Sequence, residues 1–293
     1  MDIKQLNYFI TTVEEGSISA AAARLHISQP PLSTQLKVLE KELGVILFER
    51  GPRSITLTDA GRLLYNRAKN LTSLADSIQQ EMADFGNGLQ GLLRIGTISS
   101  SAVFLLDKCV ENFHNKYPHV RFDVQEGNTF QLIDKLKAGN IELAVVRTPF
   151  KNEGFGCVYA QKEPMTAVGK PSFFESLPQP TIALSDLADR PLIYYRRFEQ
   201  LLFTQFSRCG IEPNIICSND DARTSLLWSN AGLGVALVPY SISQILIKPE
   251  LERRTLSDQA LCTQIALIWK QNQYLSNSGK GFIQVFEECC SYK

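Results

Sequence analysis

Residues 26–44 read HISQPPLSTQLKVLEKELG. Leu32, Leu36, Leu39 and Leu43 recur at helical spacing and form one apolar stripe. Ser28 offers a side-chain oxygen as N-cap. Pro30 and Pro31 then fall in the first turn, where backbone N–H groups have no intrahelical acceptor and a missing donor costs little. Pro31 also disfavours the helical conformation at Pro30, which predicts an irregular first turn. The opposite face carries Pro30, Ser33, Thr34, Lys37 and Lys41, with Gln29 at its edge. Amide, hydroxyl, ammonium and small apolar groups above a buried leucine stripe suit a DNA major groove. Amides read adenine edges, hydroxyls reach bases or phosphates, and apolar groups touch the thymine methyl.

The segments around this helix give it a context that a plain surface helix lacks. Leu6, Phe9, Ile10 and Val13 mark a first amphipathic helix ended at Gly16. Ser17 caps a second, alanine-rich helix on which Ile18, Ala21, Ala22 and Leu25 share a face. Two short helices, a turn at His26-Ile27 and a third capped helix make a helix-turn-helix. Beyond it, the apolar run Ile46–Phe48, the turn RGPRS and the alternating ITLT predict a two-stranded wing with Arg50 and Arg53 at its tip. Over residues 1–70, nine basic side chains face seven acidic ones. The surplus is small, but Lys37, Arg50 and Arg53 stand where phosphates come.

This stretch resembles the LysR-type transcriptional regulators. The resemblance runs without a gap through Ala21-Ala22, Leu25, Ser28-Gln29-Pro30, Leu32-Ser33, Gln35, Leu39-Glu40, Leu43-Gly44, Leu47-Phe48, Arg50 and Leu57–Gly61. It implies that Gln29, Pro30, Ser33 and Thr34 face base edges and that Arg53 enters from the wing. With Ser28, Lys37 and Arg50 these complete the candidate DNA-contact set. At the position of Thr34 the family often has arginine.

After Thr58, a cap for the next helix, Leu57, Gly61, Leu64, Ala68, Leu71, Ala75, Ile78, Met82 and Phe85 alternate at steps of four and three. That is a heptad seam, read as a dimerisation helix rather than a helix packed on its own domain. A dimer sets two recognition helices on one DNA face and predicts an inverted-repeat site. Gly86, Gly88 and Gly91 then form a hinge.

From LLRIGTI onward, β and α patterns alternate, which argues for an α/β fold with largely parallel sheets in two successive lobes. Strands are expected at Leu92–Ile98, Val120–Gln125 and Ile141–Arg147, with helices at Ala102–Lys116 and Phe130–Ala138 between them. A second set follows, and the tail returns to the first lobe. The expected boundaries are 1–58 for the winged helix-turn-helix, 59–90 for linker and hinge, and 91–293 for the two lobes. Lobe I takes about 91–162 and 269–293, and lobe II about 163–268.

Open α/β sheets bind ligands beyond the carboxyl ends of their strands. Three such ends carry Ser99 and Ser100, Asn128 and Thr129, and Arg147. Helix N-termini beside an arginine favour an anion, most simply a carboxylate. The alternative, in which Ser100 and Thr129 are only caps and Arg147 pairs with an internal acid, stays open. The resemblance extends here more weakly, through LRIGTISS, LKAGNIELAVVR, PLIYY and AGLGVALVP. It implies an effector-binding domain similar in fold to the type 2, two-lobed periplasmic solute-binding proteins. Ser100, Thr129 and Arg147 then line the cleft from lobe I, and Tyr195, Arg196 and Phe203 from lobe II.

The rest of the chain narrows the function classes. Thirty basic residues balance thirty acidic ones, so any basic surface is local. The N-terminus lacks a signal-peptide pattern, and no apolar run reaches the length of a membrane span. Seven scattered cysteines, without zinc spacing, fit a reducing cytosol. Cys209 and Cys217 lie close in sequence, yet small core residues are the default reading. Three scattered histidines offer neither a metal site nor a triad, and GLG in AGLGVALVP follows a helix rather than a strand. The expectation is a cytoplasmic regulator and not an enzyme, with no cofactor beyond a small anionic effector. It is a homodimer or homotetramer on double-stranded promoter DNA, with RNA polymerase open as a further partner.

Overall fold

A computed structural model describes residues 1–50, 55–87, 91–101, 105–177, 179–244, 249–271 and 273–291. Its contacts form two compact units, one built on Met1–Ala83 and the other on residues from Asp84 onward. Among the described residues no helix is long and apolar enough to cross a membrane.

In the first unit, α1 (Ile3–Glu15) starts at a capping box that the sequence reading missed. Asp2 accepts from the Gln5 amide at 2.7 Å and Gln5 accepts from the Asp2 amide at 3.1 Å. Gly16, at φ 67°, ends it. Ser17 caps α2 (Ile18–Arg24) as expected, accepting from Ala20 N at 3.2 Å. Ala21 and Ala22 are fully covered, which lets α2 lie close against its neighbours. The third helix, α3 (Gln29–Leu43), runs unbroken through Pro30 and Pro31 in its first turn, so the irregular start is not observed. Ser28 holds the N-cap position, but its side chain makes no capping bond. Leu32, Leu36 and Leu39 are buried with Leu6, Phe9, Leu47 and Phe48. Leu43 is not: the stripe ends at Leu39, because Leu43 lies in the last turn beside Gly44 and meets solvent.

The wing is β1 (Phe48–Arg50) paired antiparallel with β2 (Ile55–Leu57), Phe48 opposite Leu57. Thr58 begins α4 (Asp59–Asn87). Its hydroxyl accepts from Gly61 N at 3.0 Å and donates to the Ile46 carbonyl at 2.7 Å, fastening the wing to the helix start. A Cβ at Gly61 would run into the Leu47 carbonyl and sit 2.8 Å from Leu57 Cδ2. Backbone cannot yield as a flexible side chain does. Gly61→Ala is therefore expected to destabilise this unit by about 1–3 kcal/mol, read from the urea midpoint at constant slope.

The second unit holds two mixed sheets rather than largely parallel ones. In lobe I, β3 (Gly91–Thr97) runs parallel to β4 (Val120–Glu126) and to β5 (Leu143–Arg147). Then β13 (Thr263–Lys270) lies antiparallel between β5 and β6 (Phe155–Glu163). All of β13 thus belongs to lobe I, whose return begins at Thr263 instead of 269, and α10 (Asn277–Ser291) packs behind it. In lobe II the order is β10-β9-β11-β7-β12-β8, with β7 (Met165–Gly169), β8 (Thr181–Ile182), β9 (Leu192–Tyr195), β10 (Ile215–Asn219), β11 (Val235–Pro239) and β12 (Glu252–Leu256).

The helix expected at Ala102–Lys116 is a π-helical stretch, Leu105–Val110, followed by α5 (Glu111–Lys116). Leu105, Cys109 and Phe113 are all buried. Their spacing of four drifts around a 3.6-residue helix, and one wider turn brings the three back to a single face. The remaining helices that matter here are α6 (Thr129–Ala138), α7 (Glu199–Arg208), α8 (Ala222–Asn230) and α9 (Tyr240–Ser243).

Candidate functional site

The DNA-facing candidates gather on α3. Ser28, Gln29, Pro30, Thr34 and Lys37 are exposed and Ser33 is half-buried, all on the side away from the leucine stripe. Thr34 donates its hydroxyl to the Pro30 carbonyl at 3.0 Å, which fixes its rotamer and leaves its oxygen open as an acceptor. Arg53 and the Arg50 side chain lie outside the described residues.

The second candidate site forms because strand ends converge. β3 and β4 run in register to Thr97 opposite Glu126, and β9 and β10 to Tyr195 opposite Asn219. Beyond these carboxyl ends a cavity of about 430 Å³ opens between the lobes. Ser99, Asn128 and Tyr195, expected there, do line it. Glu126, Asp220, Asp221 and Arg223 line it too, and the sequence reading named none of them as site residues.

The other expected residues divide. Ser100, Thr129 and Arg147 are not among the residues lining the cavity and are buried, each no more than 1% exposed. Arg147 is not free to hold an anion, since its five N–H donors are all engaged. Nε donates to Ser100 Oγ at 3.1 Å; Nη1 reaches Thr263 Oγ1 at 3.0 Å and the Glu163 carboxylate; Nη2 reaches the Ser100 carbonyl at 3.1 Å and Ser241 Oγ at 3.4 Å. Glu163 also accepts from Ser241 N at 2.6 Å. The network therefore ties the end of β5 to β13 and to the start of α9, which belongs to lobe II. Thr129 Oγ1 accepts from Arg147 N at 3.3 Å, joining α6 to the same knot. Arg196 holds both Asp220 oxygens at 2.8 Å on the rim. Phe203 packs edge-on against Tyr194, centroids 5.8 Å apart, and does not line the cavity.

Two ion pairs shape the cavity itself. Arg223, on lobe II, donates to Glu126 of lobe I at 3.2 and 3.0 Å and to Asp221 at 2.8 Å. Burial raises the Asp221 carboxyl, but hydrogen bonds from the Arg223 side chain and backbone and from Thr224 N outweigh it and hold it below the usual range. Asp221 is also the N-cap of α8, and Asn128 accepts from Phe130 N and Gln131 N at 3.0 Å to cap α6.

A helix-turn-helix with a polar recognition face, followed by a two-lobed module with a polar interlobe cavity, defines a ligand-responsive DNA-binding regulator. Two family models cover nearly all of the chain. "Bacterial regulatory helix-turn-helix protein, lysR family" matches residues 3–62 and "LysR substrate binding domain" matches residues 86–291. The chain belongs to the LysR family of transcriptional regulators. The regulator BsdA of Bacillus subtilis (strain 168) is 30% identical over 294 residues, covering 98% of this chain and 100% of that one. BudR of Raoultella terrigena is 31% identical, covering 98% and 100%. Among solved structures, full-length CbnR complexed with its target DNA has a TM-score of 0.82 at 25% identity, covering 99% of this chain and 100% of that chain.

Proposed function

We propose that this regulator reads an inverted-repeat promoter site through α3 of two protomers and that a small effector in the interlobe cavity sets its activity. The carrying observation is the exposed row Gln29, Pro30, Thr34 and Lys37 above buried Leu32, Leu36 and Leu39. A rigid apolar stripe holds a polar face of groove-reading chemistry outward. Promoter DNA as the target puts the protein in the cytoplasm. Binding to DNA upstream of its own gene, against random competitor at two salt concentrations, tests this. Affinity for both DNAs is expected to fall with salt while the preference persists. Equal retention of both DNAs would overturn the reading.

The linker helix supports the homo-oligomer. Leu71, Ile78 and Met82 are 43, 50 and 60% exposed on α4 within a seam of heptad period, an apolar row that a second copy of the helix covers. The Phe85 side chain lies outside the described residues. Ile78→Asp is expected to yield monomer by sedimentation velocity. It should also weaken binding to a two-half-site DNA by about 10²-fold or more, because the two heads are no longer linked, with half-site binding unchanged.

A further inference from the structure

Two hydroxyls on the exposed side of α3 differ in the hydrogen bonds left to them. Ser28 stands at the N-cap, where its oxygen would accept from the second or third residue of the helix. Those residues are Pro30 and Pro31, which have no N–H to give. The Ser28 hydroxyl therefore makes no capping bond and can turn to donate or to accept. Thr34 is committed. Its Oγ1 lies 3.0 Å from the Pro30 carbonyl oxygen, and a carbonyl has no proton to give, so the hydroxyl proton points there. The same bond to the carbonyl four residues back recurs at Thr11, Thr12 and Thr204, at 2.8, 2.7 and 2.6 Å, so it is the resting state of a helical threonine in this chain. Thr34 is exposed, and what it offers outward is a pair of acceptor sites and a methyl group, with no donor.

That polarity decides which part of a duplex Thr34 suits. Phosphate oxygens only accept, so the DNA backbone has nothing to give this oxygen. Lys37, one turn further along the helix, has the opposite chemistry and suits phosphate. The base edges do carry donors. In the major groove each base pair presents an exocyclic amino group on one strand, adenine N6 or cytosine N4. It presents a keto oxygen on the other, thymine O4 or guanine O6. A side chain that only accepts pairs with the amino group and is repelled by the keto oxygen.

We propose that Thr34 is a specificity-determining residue, accepting a hydrogen bond from the exocyclic amino group of an adenine or cytosine on the strand it faces. The proposal rests on the reading that α3 lies in the major groove. Adenine and cytosine present the same donor, so Thr34 sets the orientation of one base pair in each half-site and does not choose between the two. Gln29, whose amide both donates and accepts, has no such restriction.

The test begins with selection of binding sites from a random duplex pool by the full chain, wild type and Thr34→Val. Valine keeps the branched shape and removes the oxygen. One position in each half-site is expected to lose about threefold or more of its preference, the worth of one hydrogen bond, with the other positions unchanged. Two probes then modify the wild-type site at that position. In one the amino group is deleted, with purine in place of adenine or 2-pyrimidinone in place of cytosine. In the other the keto oxygen is deleted from the partner base. Amino deletion should cost wild type about threefold or more beyond what it costs Thr34→Val, and keto deletion should cost both alike. Coupling to the keto oxygen instead would show the hydroxyl leaving Pro30 to donate, and overturns the assignment. A selected sequence that is the same for wild type and Thr34→Val overturns Thr34 as a reader and leaves α3 in the groove. Failure of wild type to select any sequence overturns the groove reading as well.

Discussion

Gln29→Ala is expected to cut the preference for promoter over random DNA by about 30-fold or more. One bidentate amide–adenine pair is worth about 1–3 kcal/mol of discrimination, so two protomers lose about 2–6 kcal/mol. At about 1.4 kcal/mol per factor of ten, the low end is already about 30-fold. Gln29 is exposed at the first position of α3, packs into no core, and carries no charge. Affinity for random DNA and its salt slope should therefore stay at wild-type values. Lys37→Ala should do the opposite, weakening all DNA and flattening the salt slope by about one unit for each phosphate left without its ammonium. Competition binding across a salt series separates the two. Parallel loss on promoter and random DNA in Gln29→Ala would show that this amide positions the helix rather than reads bases.

Arg147→Ala should unfold the effector domain more readily rather than simply deafen it. The side chain is 1% exposed and its partners lie on four separate elements. Removing one member of a buried ion pair leaves the other charge stranded, at a cost of about 3–5 kcal/mol. In a domain of roughly 200 residues that is about 6–20 °C in unfolding temperature. Glu163→Ala should cost a similar amount. The double change Arg147→Met with Glu163→Leu should cost far less, because neither charge then stays behind. Differential scanning calorimetry of the three variants is the measurement. Wild-type stability in Arg147→Ala, with only the effector response gone, would return Arg147 to the role of ligand contact.

The DNA-binding half was legible because its determinants are local. A leucine every three or four residues, Ser17 capping α2, a glycine after α1 and prolines confined to a first turn each act within one or two helical turns. Even there, contacts across elements decided details. Leu43 has the spacing of its stripe but is exposed among the described residues, and Ser28 has the position of a cap without its bond.

The effector half shows the limit. The carboxyl-end rule and, for Tyr195, the resemblance named three residues that line the interlobe cavity, Ser99, Asn128 and Tyr195. The edge strand β6, whose GCVYAQKE carries polar and half-buried positions, and β12, with its run ERRTL, show no clean apolar alternation, so pairing with neighbours made them strands. By itself the sequence determined the helices, the order of lobes and the family, because periodicity and capping are properties of adjacent residues. Only the tertiary structure decided what the charges do. The side-chain partners of Arg147 lie 16, 47, 94 and 116 residues away along the chain, and Glu126 meets Arg223 across 97. An ionic group's role depends on which opposite charge lies within a few ångströms of it, and distance along the chain does not carry that information.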